Sequence, residues 1–203
     1  QSLNKIKGFL NYCFDKHWME QYKSISSTLK PKPISYFTDD EFKAVIEALP
    51  TKELRRAMLF YRETGCRLSE PFNAVLQGNW LVIEAESAKT HQTREVFLTP
   101  ELLSIVNEMR DKFERKGKKR DIILRYSKVF KKACRIASVK GKKLHSLRHT
   151  FAVRRYLGTR DIYQVAKELG HSSVTTTEIY AKFSVRRLQQ DFPDLAQSYG
   201  KTS

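Results

Sequence analysis

Apolar residues recur at helical spacing along most of this chain, and strand-like runs occur in only one region. The pattern predicts helices over residues 2–22, 38–49, 51–65, 99–113, 126–138, 161–169 and 173–182, with a further helix beginning at 145 and a short amphipathic segment around 185–192. Strands are predicted for residues 80–84 and 94–98, with a loop between them. The chain is therefore predicted to be mainly helical.

Local residue choice marks where several of these helices begin and end. Thr38 and Glu41 have the spacing of a capping box, and Thr51 can cap the helix that follows. Gly65 can adopt the positive φ that ends that second helix. The serine-, lysine- and proline-rich residues 24–33 predict a linker after the first helix.

Composition narrows the class of partner. Among 203 residues, 38 Lys and Arg outnumber 22 Asp and Glu, which gives a net charge of +16 and a pI near 9.8. Such an excess predicts a polyanionic partner, and nucleic acid is the usual one. Three cysteines without a C-x-x-C pair argue against a disulfide framework or a zinc ribbon, and they fit a reducing cytoplasm. No run approaches the ~20 apolar residues of a membrane span.

The candidate chemistry is concentrated near the C-terminal end. Within about forty residues lie His145, Arg148, His149, His171 and Tyr180. Arginine offers a planar fork of donors to phosphate oxygens, histidine exchanges protons near neutral pH, and a tyrosine hydroxyl can act as a covalent nucleophile. The set suits the handling of a phosphate better than the binding of a metal, because no Asp/Glu pair accompanies it.

Four motifs resemble those of the tyrosine recombinase (phage integrase) family. His145-Ser-Leu-Arg148-His149 resembles its H-x-x-R-H box, and Leu169-Gly170-His171 resembles its L-G-H element. Tyr180, nine positions after His171, has the spacing of the family's nucleophile. Upstream, Thr64-Gly-Cys-Arg67-Leu-Ser-Glu70 resembles the T-G-x-R-x-S-E box. Four motifs in this order and spacing form a far more specific signal than any one of them.

The resemblance implies a fold and a reaction. The fold would be mainly α with a small antiparallel β-sheet near residues 80–98. The reaction would be DNA strand transfer through a 3′-phosphotyrosine, without metal or nucleotide cofactor, in the service of a phage or other mobile element. The implied partners are double-stranded attachment sites, a homotetramer assembled on DNA and accessory DNA-bending proteins, all in the cytoplasm.

The resemblance also assigns roles to side chains. Arg67 and Arg148 would hold the non-bridging phosphate oxygens, with a further hydrogen bond from His171. Lys89 would protonate the leaving 5′ oxygen, and His145 would assist proton transfer near the nucleophile Tyr180. Two more residues, Glu70 and His149, would orient the arginines.

Domain organisation and DNA contacts follow from the same comparison. Residues 1–30 resemble the last helix of a DNA-clamping domain plus its linker, and residues 31–203 would be the catalytic domain. The chain begins without Met inside a predicted helix, which indicates a fragment of a longer protein. Basic residues predicted to contact phosphates are Arg115, Lys116, Lys118, Lys119, Arg120, Lys140, Lys142 and Lys143.

Two other interpretations fit parts of the sequence. Residues 164–177 resemble the turn of a helix-turn-helix, which would make this a non-catalytic DNA-binding protein. A type IB topoisomerase shares the tyrosine chemistry, although its gap between the arginine-histidine box and the tyrosine is typically longer. Tyr180 separates the first of these from an enzyme, because a DNA-reading helix has no need of it.

Overall fold

The computed structural model describes residues 2–16, 34–84, 93–116 and 119–195. Two compact units divide the chain, residues 1–33 and residues 34–203. In the first unit, helix α1 spans Ser2–Asp15, and the rest of the predicted helix and linker lies outside the described residues. The assignment of residues 1–30 to a clamping domain stays a prediction.

The second unit is mainly helical and contains one small sheet. Its helices are α2 (Asp39–Glu47), α3 (Lys52–Thr64), α4 (Glu70–Asn73), α5 (Pro100–Lys116), α6 (Lys119–Ile136), α7 (His145–Thr159), α8 (Ile162–Leu169), α9 (Thr175–Ala181) and α10 (Val185–Asp191). Its strands β1 (Val75–Gln77), β2 (Trp80–Ile83) and β3 (Arg94–Phe97) pair antiparallel in the order β1-β2-β3. The predicted fold class is confirmed.

The predicted helix boundaries rest on the expected caps. Thr38 accepts a hydrogen bond from the Glu41 backbone, and the Glu41 side chain accepts one from the Thr38 backbone, which completes the capping box. The Thr51 hydroxyl likewise accepts from the Leu54 backbone. Gly65 ends α3 with φ of 62°, so the chain leaves that helix in a sharp turn directly before Arg67.

Two local features differ from the sequence predictions. The helices predicted over residues 99–113 and 126–138 are longer than expected, because α5 runs to Lys116 and α6 begins at Lys119. The reason is that Ile122 is buried and continues the apolar stripe of α6 toward its N-terminus. The sequence also gave no sign of β1, which is three residues long and pairs with β2 across the Gly78-Asn79 turn. A strand that short shows no readable alternation.

Helix α7 connects two apolar clusters. Leu147 packs in a cluster built mainly by α2, α3, α5, α6 and the sheet, while Ala152 and Val153 pack in a second with α8, α9 and α10. In the first two turns of α7 the polar residues Ser146, Arg148 and Thr150 are buried, whereas His145 is exposed. None of the described helices is long and apolar enough to cross a membrane.

Candidate active site

Arg148 on α7 is the central cation of the site. Its side chain is buried, with 3% of the residue exposed. Nη1 donates to the Gly65 carbonyl at 2.7 Å, and Nη2 donates to the Leu169 carbonyl at 2.5 Å. Burial and the nearby guanidinium groups of Arg94 and Arg67 lower the pKa of Arg148 to about 10, so it remains charged at neutral pH. One side chain thus joins the ends of α3 and α8.

Arg67 follows the α3 terminus and is held by Glu70. The Arg67 backbone N–H donates to Glu70 Oε2 at 2.6 Å, and its Nη1 donates to Oε1 at 2.8 Å. Burial alone would raise the pKa of Glu70, but the Arg94 guanidinium and the hydrogen bonds from Arg67 outweigh it and leave that pKa below its ordinary value. A charged, buried carboxylate therefore fixes the first arginine, as expected of a residue that orients it.

Arg94, the first residue of β3, was not among the predicted site residues. Its Nη2 lies 2.5 Å from Glu70 Oε2, and its Nη1 donates to the Glu168 carbonyl. An arginine next to a predicted hairpin loop is normally exposed to solvent. The sequence indicated burial only through the two-residue spacing between Arg94 and the apolar positions that follow it. It brings a third guanidinium into the group formed by Arg67 and Arg148.

His171 lies immediately after the α8 C-cap. Gly170 takes φ of 65°, and the His171 Nδ1 then lies 2.8 Å from the hydroxyl oxygen of Thr177. Burial, followed by the positive charges of Arg148, Arg67 and Arg94, lowers the pKa of His171 to about 4. The imidazole is therefore neutral at pH 7. Thr177 is fully buried and was also missed, since a threonine in a Thr-Thr-Thr run carries no distinctive signal.

Tyr180 on α9 is buried and has a polar partner. Only 2% of the residue is exposed, and its ring packs in the second apolar cluster. Its hydroxyl lies 2.8 Å from His149 Nδ1. Burial raises the pKa of Tyr180 to about 12, although the charge of Arg148 acts in the opposite direction. The phenol is therefore protonated at neutral pH in this arrangement.

His149, rather than His145, is the histidine bonded to Tyr180. His145 begins α7 as predicted, and it is exposed, with its ring centroid 5.0 Å from that of His149. Burial, His145 and Arg148 lower the pKa of His149 to about 4, which leaves a neutral imidazole beside the phenol. The expected role of His145 near the tyrosine stays a prediction, and the hydrogen bond to the tyrosine comes from His149.

The remaining predicted residues are less well defined. Lys89 and Lys118 lie outside the described residues, as do the side chains of Arg115, Lys116, Lys119 and Arg120. Lys140 and Lys143 are exposed, whereas Lys142 pairs with Glu41 and lies over the ring of Phe37. The catalytic role of Lys89 and the DNA contacts of the other basic residues stay predictions.

The residues of this site lie within a segment that matches a known family. A profile of the Phage integrase family matches residues 35–187, which include the residues just described from Arg67 to Tyr180.

The chain belongs to the phage integrase family.

Two curated relatives within that family show the extent of the likeness. The tyrosine recombinase XerC of Caldanaerobacter subterraneus subsp. tengcongensis is 28% identical over 208 residues, which covers 91% of this chain and 59% of XerC. The tyrosine recombinase XerA of Pyrococcus furiosus is 26% identical over 170 residues, which covers 75% of this chain and 59% of XerA. The chain thus spans about three fifths of the length of these relatives.

Solved structures agree on the fold. The Tn1549 transposon integrase in complex with transposon right end DNA superposes with a TM-score of 0.65 at 15% identity, covering 93% of this chain and 77% of that integrase. A lambda integrase dimer bound to a COC′ core site gives a TM-score of 0.63 at 16% identity, covering 86% and 71%. This chain therefore shares the integrase fold with both at low sequence identity.

Proposed function

We propose that this chain is the catalytic part of a tyrosine site-specific recombinase, which cuts and rejoins duplex DNA through a 3′-phosphotyrosine. The observation that carries the proposal is the pair of hydrogen bonds from Arg148 to the Gly65 and Leu169 carbonyls. They bring together motifs that are about a hundred residues apart in the sequence. A buried cluster of guanidinium groups with histidines and a tyrosine suits a phosphodiester.

The two arginines, Arg67 and Arg148, stabilise the charge on the phosphate in this proposal. In the transition state, negative charge develops on the non-bridging oxygens, and preorganised charge-assisted hydrogen bonds stabilise it. Arg148 keeps its orientation through two carbonyls, and Arg67 through Glu70. Neutral His171 has Nε2 available as a further donor when Nδ1 accepts from Thr177.

The strand-transfer step exchanges one phosphoester bond for another. The Tyr180 oxygen forms a bond to phosphorus, and the bond from phosphorus to the 5′ oxygen breaks. The phenol proton passes to neutral His149, which lies 2.8 Å from the hydroxyl. Lys89, assigned through the family motif, would supply a proton to the departing 5′ oxygen. A 5′-hydroxyl of another strand reverses the step.

Tyr180 must change its environment to react. A residue only 2% exposed cannot meet a DNA phosphorus without displacement of its neighbours. Helix α9 has only seven residues, and Gly170 precedes it on the chain. We propose that engagement with DNA shifts this short helix and exposes the phenol oxygen to the phosphorus, while His149 stays within reach of the phenol proton.

The helix-turn-helix alternative accounts for fewer observations. The turn between α8 and α9 packs into the guanidinium cluster, since the Leu169 carbonyl accepts from Arg148. A DNA-reading helix would present its side chains to a groove, yet Thr177 and Tyr180 on α9 are buried. These contacts favour the recombinase. Relaxation of DNA in the manner of a type IB topoisomerase uses the same covalent step, and only strand exchange separates the two.

The biological setting is the finer part of the proposal. We infer that the recombinase moves a phage or mobile element, acts in the cytoplasm as a homotetramer on paired attachment sites, and uses accessory DNA-bending proteins. Structural likeness to a transposon integrase and to lambda integrase supports this setting, while XerC and XerA are the curated relatives. Recombination of sites that flank a mobile element would support this setting. Recombination of chromosomal sites instead would contradict it.

Covalent capture tests the activity without knowledge of the target. The chain is incubated with a pool of random-sequence duplexes that carry single nicks, and SDS-resistant protein–DNA adducts are isolated and sequenced. We expect adducts in which the protein is attached to a 3′ end, at an enriched sequence. Attachment to a 5′ end, or the absence of any adduct at protein concentrations that bind the pool fully, contradicts the proposal.

A further inference from the structure

Arg94 is buried in a position that its place in the sequence does not explain. It begins β3, yet only 6% of the residue is exposed, and it makes polar contacts to two segments far away in the chain. One is the Glu70 carboxylate, 24 residues earlier, and the other is the Glu168 carbonyl, 74 residues later. A side chain with this reach fixes the relative position of both segments.

The contact with the α8 terminus is unusually close. Gly170 has φ of 65°, and a Cβ atom at that position would lie 2.6 Å from Arg94 Cδ. The arginine stem therefore runs against the backbone of the turn that carries His171. Its guanidinium reaches Glu70, which also binds Arg67 through two hydrogen bonds. Arg94 thus contacts the carboxylate that holds Arg67 and the turn that carries His171.

We propose that Arg94 is a positioning residue for the strand-transfer reaction, holding the Glu70–Arg67 pair and the Gly170–His171 turn at a fixed separation. The inference rests on the proposed function for the reaction that it serves, but the link between the two segments is a property of this fold alone. Arg94 acts through Glu70 and through the backbone of the turn, and it does not contact the phosphate.

Stability alone is a poor reason for this arrangement. Among the described residues, the Arg94 Nε is buried without a hydrogen-bond partner, which destabilises a folded protein. Buried ion pairs seldom stabilise a fold more than apolar residues of similar volume. The planar fork of arginine, however, satisfies a carboxylate and a carbonyl at once, which an apolar side chain cannot do. The cost is consistent with a role in setting geometry.

The structure offers a matched control in Arg110. Its Nε donates to the Pro71 carbonyl at 2.7 Å, and its Nη2 donates to the Ala74 carbonyl at 2.6 Å. Like Arg94 it holds α4 in place, but it is only partly buried, and it binds the Pro71 and Ala74 carbonyls rather than Glu70 or the α8 turn. Arg110→Met therefore removes a comparable structural contact and leaves the proposed link intact.

The test compares Arg94→Met, Arg94→Lys and Arg110→Met in two measurements. The first is single-turnover adduct formation at saturating nicked duplex, together with DNA affinity. We expect Arg94→Met to slow adduct formation by about 10- to 100-fold, which is typical for loss of an orienting partner, with affinity retained. Arg94→Lys keeps a charge that can reach one acceptor, so it should fold, and its rate of adduct formation should lie between those of wild type and Arg94→Met. Arg110→Met should react at the wild-type rate.

The second measurement is backbone hydrogen exchange of the same proteins without DNA. Arg94→Met should speed exchange in residues 67–72 and 168–173 together, while Arg110→Met should affect only the region of residues 71–75. Unchanged exchange at 168–173, or Arg94 variants that react as fast as Arg110→Met, overturns the proposal. Should wild-type protein form no adduct, the proposed function fails, and the exchange data still decide whether Arg94 joins the two segments.

Discussion

The Nδ1 atom of His149 lies 2.8 Å from the hydroxyl oxygen of Tyr180, within a pocket that excludes most solvent. This contact holds the phenol by a single neutral hydrogen bond among apolar neighbours. A neutral hydrogen bond contributes only about 1 kcal/mol, so it can be broken when a charged phosphate enters. The relationship makes His149 both the residue that holds the phenol and the nearest acceptor for its proton.

Replacement of the two neighbouring histidines separates their roles. We expect His149→Ala to slow adduct formation by about 100-fold, because loss of a proton acceptor typically has an effect of this size. His145→Ala should have a smaller effect, since His145 is exposed. Single-turnover rates at several pH values measure both variants. A slower reaction for His145→Ala than for His149→Ala would restore the original assignment of His145 beside the nucleophile.

Tyr180→Phe tests the nucleophile with one atom removed. The ring stays in the apolar cluster, so the fold should persist and DNA affinity should remain at the wild-type value. Covalent capture should disappear, because no oxygen is left to bond to phosphorus. Tyr163→Phe is the control, since Tyr163 is 71% exposed on α8. Adduct formation by Tyr180→Phe would identify a different nucleophile.

Replacement of Arg148 should destabilise the fold more than replacement of Arg67, whereas both replacements should slow cleavage. Each Ala variant should slow cleavage by about 100-fold or more through loss of phosphate stabilisation. Arg148→Ala also strips two buried carbonyls of their donor, so it should lower the free energy of unfolding by roughly 3 kcal/mol. Arg67→Ala, whose side chain is partly exposed, should lower it by about 1 kcal/mol or less. Urea unfolding and single-turnover cleavage measure the two effects, and equal destabilisation would contradict the contacts described for Arg148.

Acid should destabilise the second unit before the carboxylates titrate. The pKa values of His149 and His171 are about 4 in the folded protein, against an ordinary value of 6.5. Between these values the unfolded chain binds protons that the folded chain does not, so stability falls as pH falls from about 6.5 toward 4.

The size of the acid effect can be checked by substitution. We expect each histidine to account for about 2 kcal/mol of the loss between pH 7 and pH 5. Urea midpoints of wild type, His149→Gln and His171→Gln at the two pH values measure it. Gln keeps a polar side chain without a titrating ring. Variants that retain the full wild-type pH dependence would show that these imidazoles have the same pKa in the folded and unfolded chain.

DNA binding should weaken steeply with salt. Each Lys that neutralises a phosphate contributes about 0.9 to the slope of log affinity against log salt. Lys140 and Lys143 are exposed before α7, so their double Gln variant should reduce the slope by about 2. Gln replacement of Lys142 should change it less, because Lys142 already pairs with Glu41. Filter binding from low to moderate salt measures the slopes, and an unchanged slope for the double variant would remove that segment from the DNA surface.

The features that sequence predicted well depend on neighbours within a few positions. A capping box at Thr38, a positive-φ glycine at Gly65 and a helix beginning at His145 are all local, and the structure has each of them. The family motifs also placed Arg67 and Arg148 in one site, because their spacing reflects a shared fold. Periodicity is a strong guide where a helix presents one buried face.

The features that sequence missed depend on residues far apart in the chain. The contacts of Arg94 reach 24 residues back and 74 residues forward, so nothing near it in the sequence reveals its burial. His149 was assigned to orient the arginines through the family resemblance, and its ring contacts Tyr180, 31 residues away. The choice between His145 and His149 depends on which side of α7 faces α9, and that is set by packing.

Both ends of the described part of the second unit, residues 34–195, pack against one apolar cluster. The Tyr36 hydroxyl donates to Asp191 Oδ2 at 2.5 Å, and both Ile34 and Leu195 pack against the cluster that holds Tyr180. We expect that a peptide linker could join residue 195 to residue 34 without disturbing that cluster, with new termini opened elsewhere on the surface. A permuted chain of this kind would carry its motifs in a different linear order, and the same guanidinium groups, imidazoles and phenol would still meet.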